Sequence, residues 1–319
     1  MTYTPRYSVS VSEAPTRSTH WANLGEASFA FGSWILYAIN KYLGRWPFRI
    51  VLAPVMLFFI LRYPIRRRSS REYFQRLGYA PSTLRTYKHI FGFAETLLDK
   101  LLAVAGQYPF AKLRYTGRDV MVESMAQKRG GVLITAHMGC LEVCRLAAEN
   151  KADGPRLNVL VHTPNAERFN QVLQRLDPNT SVKLIQVTDV APATAALLSE
   201  KVDAGEFVVI AGDRVPVSDA SGRTVSVPFL GSDASFPIGP WVLASALKCQ
   251  VILFSVLRED DTYRARFERL ADKVELPRGK REEGARKYAA LFAQKLEELC
   301  RAAPFDWFNF YPFWEPPRG

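Results

Sequence analysis

Cysteine and histidine are scarce in this 319-residue chain, with four of each. Cys140 and Cys144 stand four apart, Cys249 and Cys300 are remote, and no C-x-x-C pair occurs. That pattern argues against both a disulfide framework and a zinc site, and it suits small buried thiols in a reducing compartment. No G-x-S-x-G elbow is present, which removes the usual serine-hydrolase nucleophile. A glycine-rich nucleotide fingerprint, a metal-protease motif and an internal repeat are also missing. No apolar run reaches the roughly 20 residues of a bilayer-spanning helix. The first 28 residues are polar, and no small-residue cleavage site follows a short apolar core, so no secretory signal is read.

Acidic residues are scarce in one half only. Residues 1–130 hold 19 Lys/Arg against 7 Asp/Glu, whereas residues 131–319 hold 23 against 24, so the formal charge of +11 belongs to the N-terminal part. The same part carries the apolar material, between Phe29 and Leu61. Phe31, Trp34, Ile35, Ala38 and Tyr42 recur at helical spacing, and a second run, Ile50 to Leu61, is interrupted by Pro54. These lengths point to a helix lying in a membrane interface or re-entering it; a buried core helix is the plain alternative. Arg62, Arg66, Arg67, Arg68, Arg71 and Arg76 follow directly, and each basic side chain near an anionic leaflet contributes about 1 kcal/mol. Their sign places the segment on the cytoplasmic side of a membrane. Nucleic acid is the poorer partner, because the aromatic residues lie in apolar runs and do not interleave with the basic ones.

The chemistry-bearing stretch is GGVLITAHMGCLEVCRLAAE, Gly130 to Glu149. An apolar strand ends at His137, and a helix begins within two residues. On one continuous helix His137 and Glu142 would point roughly 140° apart. A corner at Met138-Gly139 removes that separation and lets Glu142 stand behind the imidazole as the orienting partner of a general base. Gly139 allows close backbone approach, and the helix N–H groups aim at developing negative charge. Spacing alone does not decide the matter: His162 and Glu167 in HTPNAE repeat it after the apolar strand Leu157 to Val161, and a strand-end histidine is commonly a hydrogen-bonded structural group. A nucleophilic Cys140 beside His137 is a further alternative, and it would require an accessible, electropositive corner.

With these residues in view, the chain resembles the bacterial lipid A lauroyl/myristoyl acyltransferase family, a branch of the lysophospholipid acyltransferases marked by H-x4-D/E. GVLITAHMGCLE carries the likeness, supported by AGDR at Ala211 to Arg214, VPFLGSDASFPIGPWVLA at Val227 to Ala244, and DWFNFYPFW at Asp306 to Trp314. The tail departs from a more basic ending and is similar to relatives that acylate other glycolipids or act in aryl-polyene lipid pathways. The resemblance implies a membrane-associated O-acyltransferase on the cytoplasmic face of the inner membrane. It would move an acyl group from an acyl carrier protein or coenzyme A thioester to a hydroxyl of a lipid A-like or other glycolipid. No cofactor or metal is expected. His137 would be the base and Glu142 its partner; His137→Ala should abolish transfer, and His162→Ala only weaken it. Substrate-contact candidates are Gly139, His162 and Asn165, Asp213 and Arg214 at a sheet edge where ligands of α/β folds bind, and Phe236-Pro237 before a helix. Arg214 is implied as a contact to phosphate or phosphopantetheine. A noncatalytic lipid-binding protein of the same fold, or a thioesterase, is the competing reading.

From Leu113 onward, strand-like and helix-like segments alternate. The pattern predicts an α/β fold with a central, largely parallel sheet flanked by helices. Residues 1–20 are expected to form a tail, 21–110 a helical membrane-associated region, and 111–319 the α/β acyltransferase domain. Helices are predicted at Leu84–Ala105, Asp119–Lys128, Pro237–Lys248 and Glu282–Arg301, with the aromatic residues from Trp307 to Trp314 lining an acyl groove or packing in the core.

Overall fold

A computed structural model describes residues 38–104, 106–143, 154–161, 183–186, 192–214, 224–260 and 262–315. By its contacts the chain divides into one unit ending at Leu52 and a second starting at Ala53, and the site lies in the second.

Helices α1 (Arg45–Arg62), α2 (Pro64–Arg76) and α3 (Thr83–Val104) come first. Pro64 at the first position of α2 has no N–H to lose there, while its ring prevents α1 from running on, and the two helices meet at 94°. Among the described residues no single helix is long and apolar enough to cross a membrane. There follow β1 (Arg114–Thr116), α4 (Arg118–Ala126), β2 (Gly131–Thr135), β3 (Leu157–Val161), β4 (Lys183–Gln186), α5 (Pro192–Asp203) and β5 (Phe207–Ala211). A hairpin of β6 (Thr224–Phe229) and β7 (Ser232–Pro237) leads to α6 (Gly239–Ala246), β8 (Gln250–Glu259), β9 (Thr262–Ala271) and α7 (Arg281–Ala302).

Seven strands form one sheet in the order β1-β9-β8-β2-β5-β3-β4, and every neighbouring pair is parallel except β8 with β9. β2 is central and buried at all five positions. Its alternate residues enter two different cores, as the pleat requires. Val132 and Ile134 pack with Val208, Val251 and the α7 residues Phe292 and Leu296, whereas Leu133 packs with Phe207, Ile252 and Met121 of α4.

The alternation read from sequence corresponds to this sheet, with two local differences. The segment 224–237, to which the sequence assigned no strand, is an antiparallel hairpin, and Pro237, expected to open a helix, closes its second strand. The turn residues Leu230 and Gly231 both have positive φ, 51° and 78°, the twist that a two-residue hairpin turn needs. Leu230 holds this conformation because its side chain is buried and its N–H donates to Glu297 of α7 at 2.7 Å. Helix α6 therefore starts at Gly239, with Pro240 in its first turn.

Candidate active site at the end of strand β2

β2 and β5 lie side by side in register, Thr135 opposite Ala211. His137 and Asp213 each stand two residues beyond that pair, so the sheet brings them together. His137 Nδ1 lies 2.8 Å from Asp213 Oδ1, and the His137 backbone N–H donates to Oδ2 at 2.9 Å. Trp307 supplies a third donor, its indole N–H reaching Oδ2 at 3.0 Å. The Asp213 side chain is 1% exposed and that of His137 37%. Burial pushes the Asp213 carboxyl up, but the donors from His137 and Trp307 outweigh it and hold the pKa below the ordinary value. A carboxylate only accepts, so Nδ1 carries a proton, and in the neutral ring that tautomer leaves the lone pair on Nε2.

The corner itself is fixed by backbone. Gly139 has a φ of 57°, and a Cβ there would lie 1.5 Å from the Val256 carbonyl oxygen, so no larger residue fits. Residues 306–308 run alongside it: Gly139 N–H donates to Asp306 O, Phe308 N–H to His137 O, both at 2.9 Å, and Met138 bridges Trp307. The Asp306 carboxylate in turn accepts the Arg258 backbone N–H at 2.5 Å. Arg258 bonds Asp99 and Tyr263, each at 2.9 Å, tying β8 to α3 and β9.

Glu142 stands elsewhere than the spacing suggested. Its carboxylate meets the ammonium of Lys100 on α3 and lies near the Cys140 thiol, while Asp213 takes the place behind the imidazole. The reason is geometric: β5 delivers a side chain at the same level as β2, whereas Glu142 follows a turn that points toward α3. The Cys140 nucleophile alternative fails, because the thiol is fully buried, and burial first and Glu142 second raise its pKa well above the ordinary value. Arg214 is exposed beside the dyad, donating to Phe308 O at 3.1 Å with its guanidinium over the Tyr311 ring. Tyr311 OH donates to the Asp213 carbonyl at 3.3 Å.

Phe236 is fully buried among Phe229, Phe292 and Phe313, so it packs the core beneath the hairpin, and Pro237 beside it is also buried. Trp307, Phe308 and Phe313 are likewise buried. His162, Asn165 and Cys144 lie outside the described residues. Among those described, no three His, Cys, Asp or Glu side chains gather as a metal site.

A strand-end histidine backed by a buried carboxylate, on a mostly parallel sheet, is a general-base arrangement. The model of the bacterial lipid A biosynthesis acyltransferase family matches residues 104–315, two thirds of the chain. The chain belongs to this family. It is accordingly an acyltransferase, and the matched region spans the whole seven-stranded sheet together with His137, Asp213 and Trp307. No curated protein matches the chain.

The buried His89 is a residue that the sequence left without a role. Its Nε2–H donates to Trp307 O at 2.9 Å, which leaves Nδ1 to accept from the Ser70 hydroxyl at 3.0 Å. Burial drives its pKa down to about 4, so it is neutral at physiological pH. Its bonds tie α2 and α3 to the segment that carries Trp307.

Proposed function

We propose that the protein transfers an acyl group from a thioester of acyl carrier protein or coenzyme A to a hydroxyl of a glycolipid, with His137 as general base and Asp213 as its partner. The observation that carries this reading is the 2.8 Å contact between His137 Nδ1 and the buried Asp213 carboxylate, which leaves Nε2 on the partly exposed side of the ring. Nε2 takes the acceptor's hydroxyl proton as its oxygen bonds to the thioester carbon. The tetrahedral intermediate collapses as the C–S bond breaks, and the same proton passes from Nε2 to the departing thiolate. Asp213 holds the ring tautomer and stabilises the imidazolium between these two transfers. The oxyanion is met by N–H groups following Gly139 or by Arg214, whose exposed guanidinium also suits a phosphate on either substrate. No covalent intermediate on the enzyme is needed.

The protein is proposed to work on the cytoplasmic face of the inner membrane. Supporting this are the exposed apolar side chains Leu57, Phe58 and Leu61 on one side of α1, followed at once by the arginines of α2. Substrate pairing is tested with purified protein, a labelled acyl thioester and lipid acceptor in mixed micelles. His137→Ala and Asp213→Asn should each lower transfer by about 10²–10⁴-fold, while Glu142→Gln should retain most of it. A His137→Ala variant of undiminished rate sinks the mechanism. Free fatty acid in place of acylated lipid would identify a thioesterase.

A further inference from the structure

A groove of about 840 Å³ runs along the outer side of α2, away from the catalytic corner, with Pro81, Trp314 and Glu315 as its far wall. At 100° per residue, Arg67, Arg71, Gln75 and Arg68 fall within about 100° of one another and all line it. Arg76 is committed: its guanidinium bonds Glu72 at 2.9 Å and lies 4.3 Å from the centre of the Trp314 ring. The remaining arginines are lightly held. Arg68 reaches Glu315 only at 3.9 Å with both side chains largely exposed, Arg71 touches the Thr83 hydroxyl at 3.3 Å, and Arg67 forms no ion pair among the described residues. Pro64 and Ile65 give one end of the groove an apolar lining, and Ile65 is 51% exposed.

We propose that this groove is a binding site for the phosphate of an anionic membrane phospholipid. Planar guanidiniums pair with phosphate oxygens in twos. Along the chain, Ile65 at the apolar end is preceded by the exposed Leu61, Phe58 and Leu57 of α1, apolar side chains against which the acyl chains of a headgroup seated among the arginines could lie. An acidic protein surface would find no use for that apolar strip, and free phosphate no use for Ile65. The opposite side of α2 is buried, and there Ser70 bonds His89, which bonds Trp307 O. A lipid held in the groove therefore sets the height and tilt of the Trp307 segment, and with it His137, relative to the leaflet.

The inference rests on the membrane-surface reading above, and one experiment separates their failures. Full-length protein is sedimented with vesicles of phosphatidylcholine alone and with one third phosphatidylglycerol, as wild type, as Arg67→Gln/Arg68→Gln/Arg71→Gln, and as Lys273→Gln/Arg278→Gln/Lys280→Gln. The last has the same charge loss at exposed positions outside the groove. The groove variant should lose at least about tenfold in partitioning onto the anionic vesicles, with the control within about twofold of wild type. Equal losses in the two variants would show diffuse attraction only and overturn the groove. Wild type that ignores both vesicles overturns the membrane reading itself. Dihexanoyl phosphatidylglycerol should compete for the site at concentrations where inorganic phosphate does not; equal competition would make it a free-phosphate site. Binding of acyl carrier protein lost in the groove variant, with vesicle binding intact, would reassign the surface to a protein partner.

Discussion

Replacing Trp307 by Phe removes one donor from Asp213 and keeps most of the ring. Trp307 is wholly buried, with the rings of Tyr73 and Phe313 at 5.1 Å and Phe229 at 5.4 Å. Loss of the fused ring's volume and of a hydrogen bond to a charged group should cost about 2–4 kcal/mol of stability. The functional effect is separate. Among the described residues the Asp213 carboxylate keeps its two bonds from His137, and the tie that fixes it relative to residues 306–308 is gone. A charged hydrogen bond of about 1.5–3 kcal/mol, spent on holding the base in place, corresponds to a fall in kcat of roughly 10- to 150-fold. KM for the thioester should change little, since Trp307 lies behind the dyad. The Asp213 carboxyl should rise toward its ordinary value, and with one donor fewer it binds the protonated imidazole more strongly. The acid limb of kcat/KM should therefore move to higher pH. Trp241→Phe is the control: Trp241 is 1% exposed and packs on Tyr288 and Phe292, so it loses the same volume without touching Asp213. Initial rates over pH 5 to 9, taken below the melting temperature of each variant, decide the matter. If Trp307→Phe and Trp241→Phe lose activity equally and the pH profile stays in place, Trp307 is packing alone.

Two further outcomes follow from the corner. Gly139→Ala should fail to accumulate as folded protein, because its Cβ meets the Val256 carbonyl in a rigid central strand and the left-handed φ adds strain; a soluble variant with a wild-type melting temperature would contradict the geometry. His89 and Asp306 make stability depend on pH with opposite signs. His89 is depressed to about 4, so its stabilising contribution is present above about 6.5 and is lost as pH falls through 4. Burial raises Asp306 to about 6 against the pull of its Arg258 contacts, so its contribution is present below about 4 and is lost as pH rises through 6. Asp306→Asn removes the second dependence. Chemical denaturation should then show the variant gaining about 3 kcal/mol on wild type between pH 4 and pH 7, and parallel curves would refute the buried, raised carboxyl.

What could be read from the chain, and what could not, divides along one line. A strand such as Gly131–Thr135 announces itself by five apolar residues between glycine and a corner, and Phe207–Ala211 does the same, so the alternation that makes a parallel sheet was legible. The β6–β7 hairpin was hidden because SDAS and two prolines imitate a loop. Strand order is a property of packing and leaves no local trace. Without it, His137 has only its chain neighbours as partners, and H-x4-E points to Glu142. With β2 beside β5, the carboxylate two residues past Ala211 becomes the nearer one, though 76 residues away. One signal was present in the chain: a tryptophan bound for the core needs a partner for its N–H, and the charged residues at strand ends are the natural acceptors. Trp307 thus joins the tail to the dyad. Removing the buried tail should weaken activity through Asp213 before any acyl chain is involved, which ties the aromatic ending of this protein to its chemistry as well as to its core.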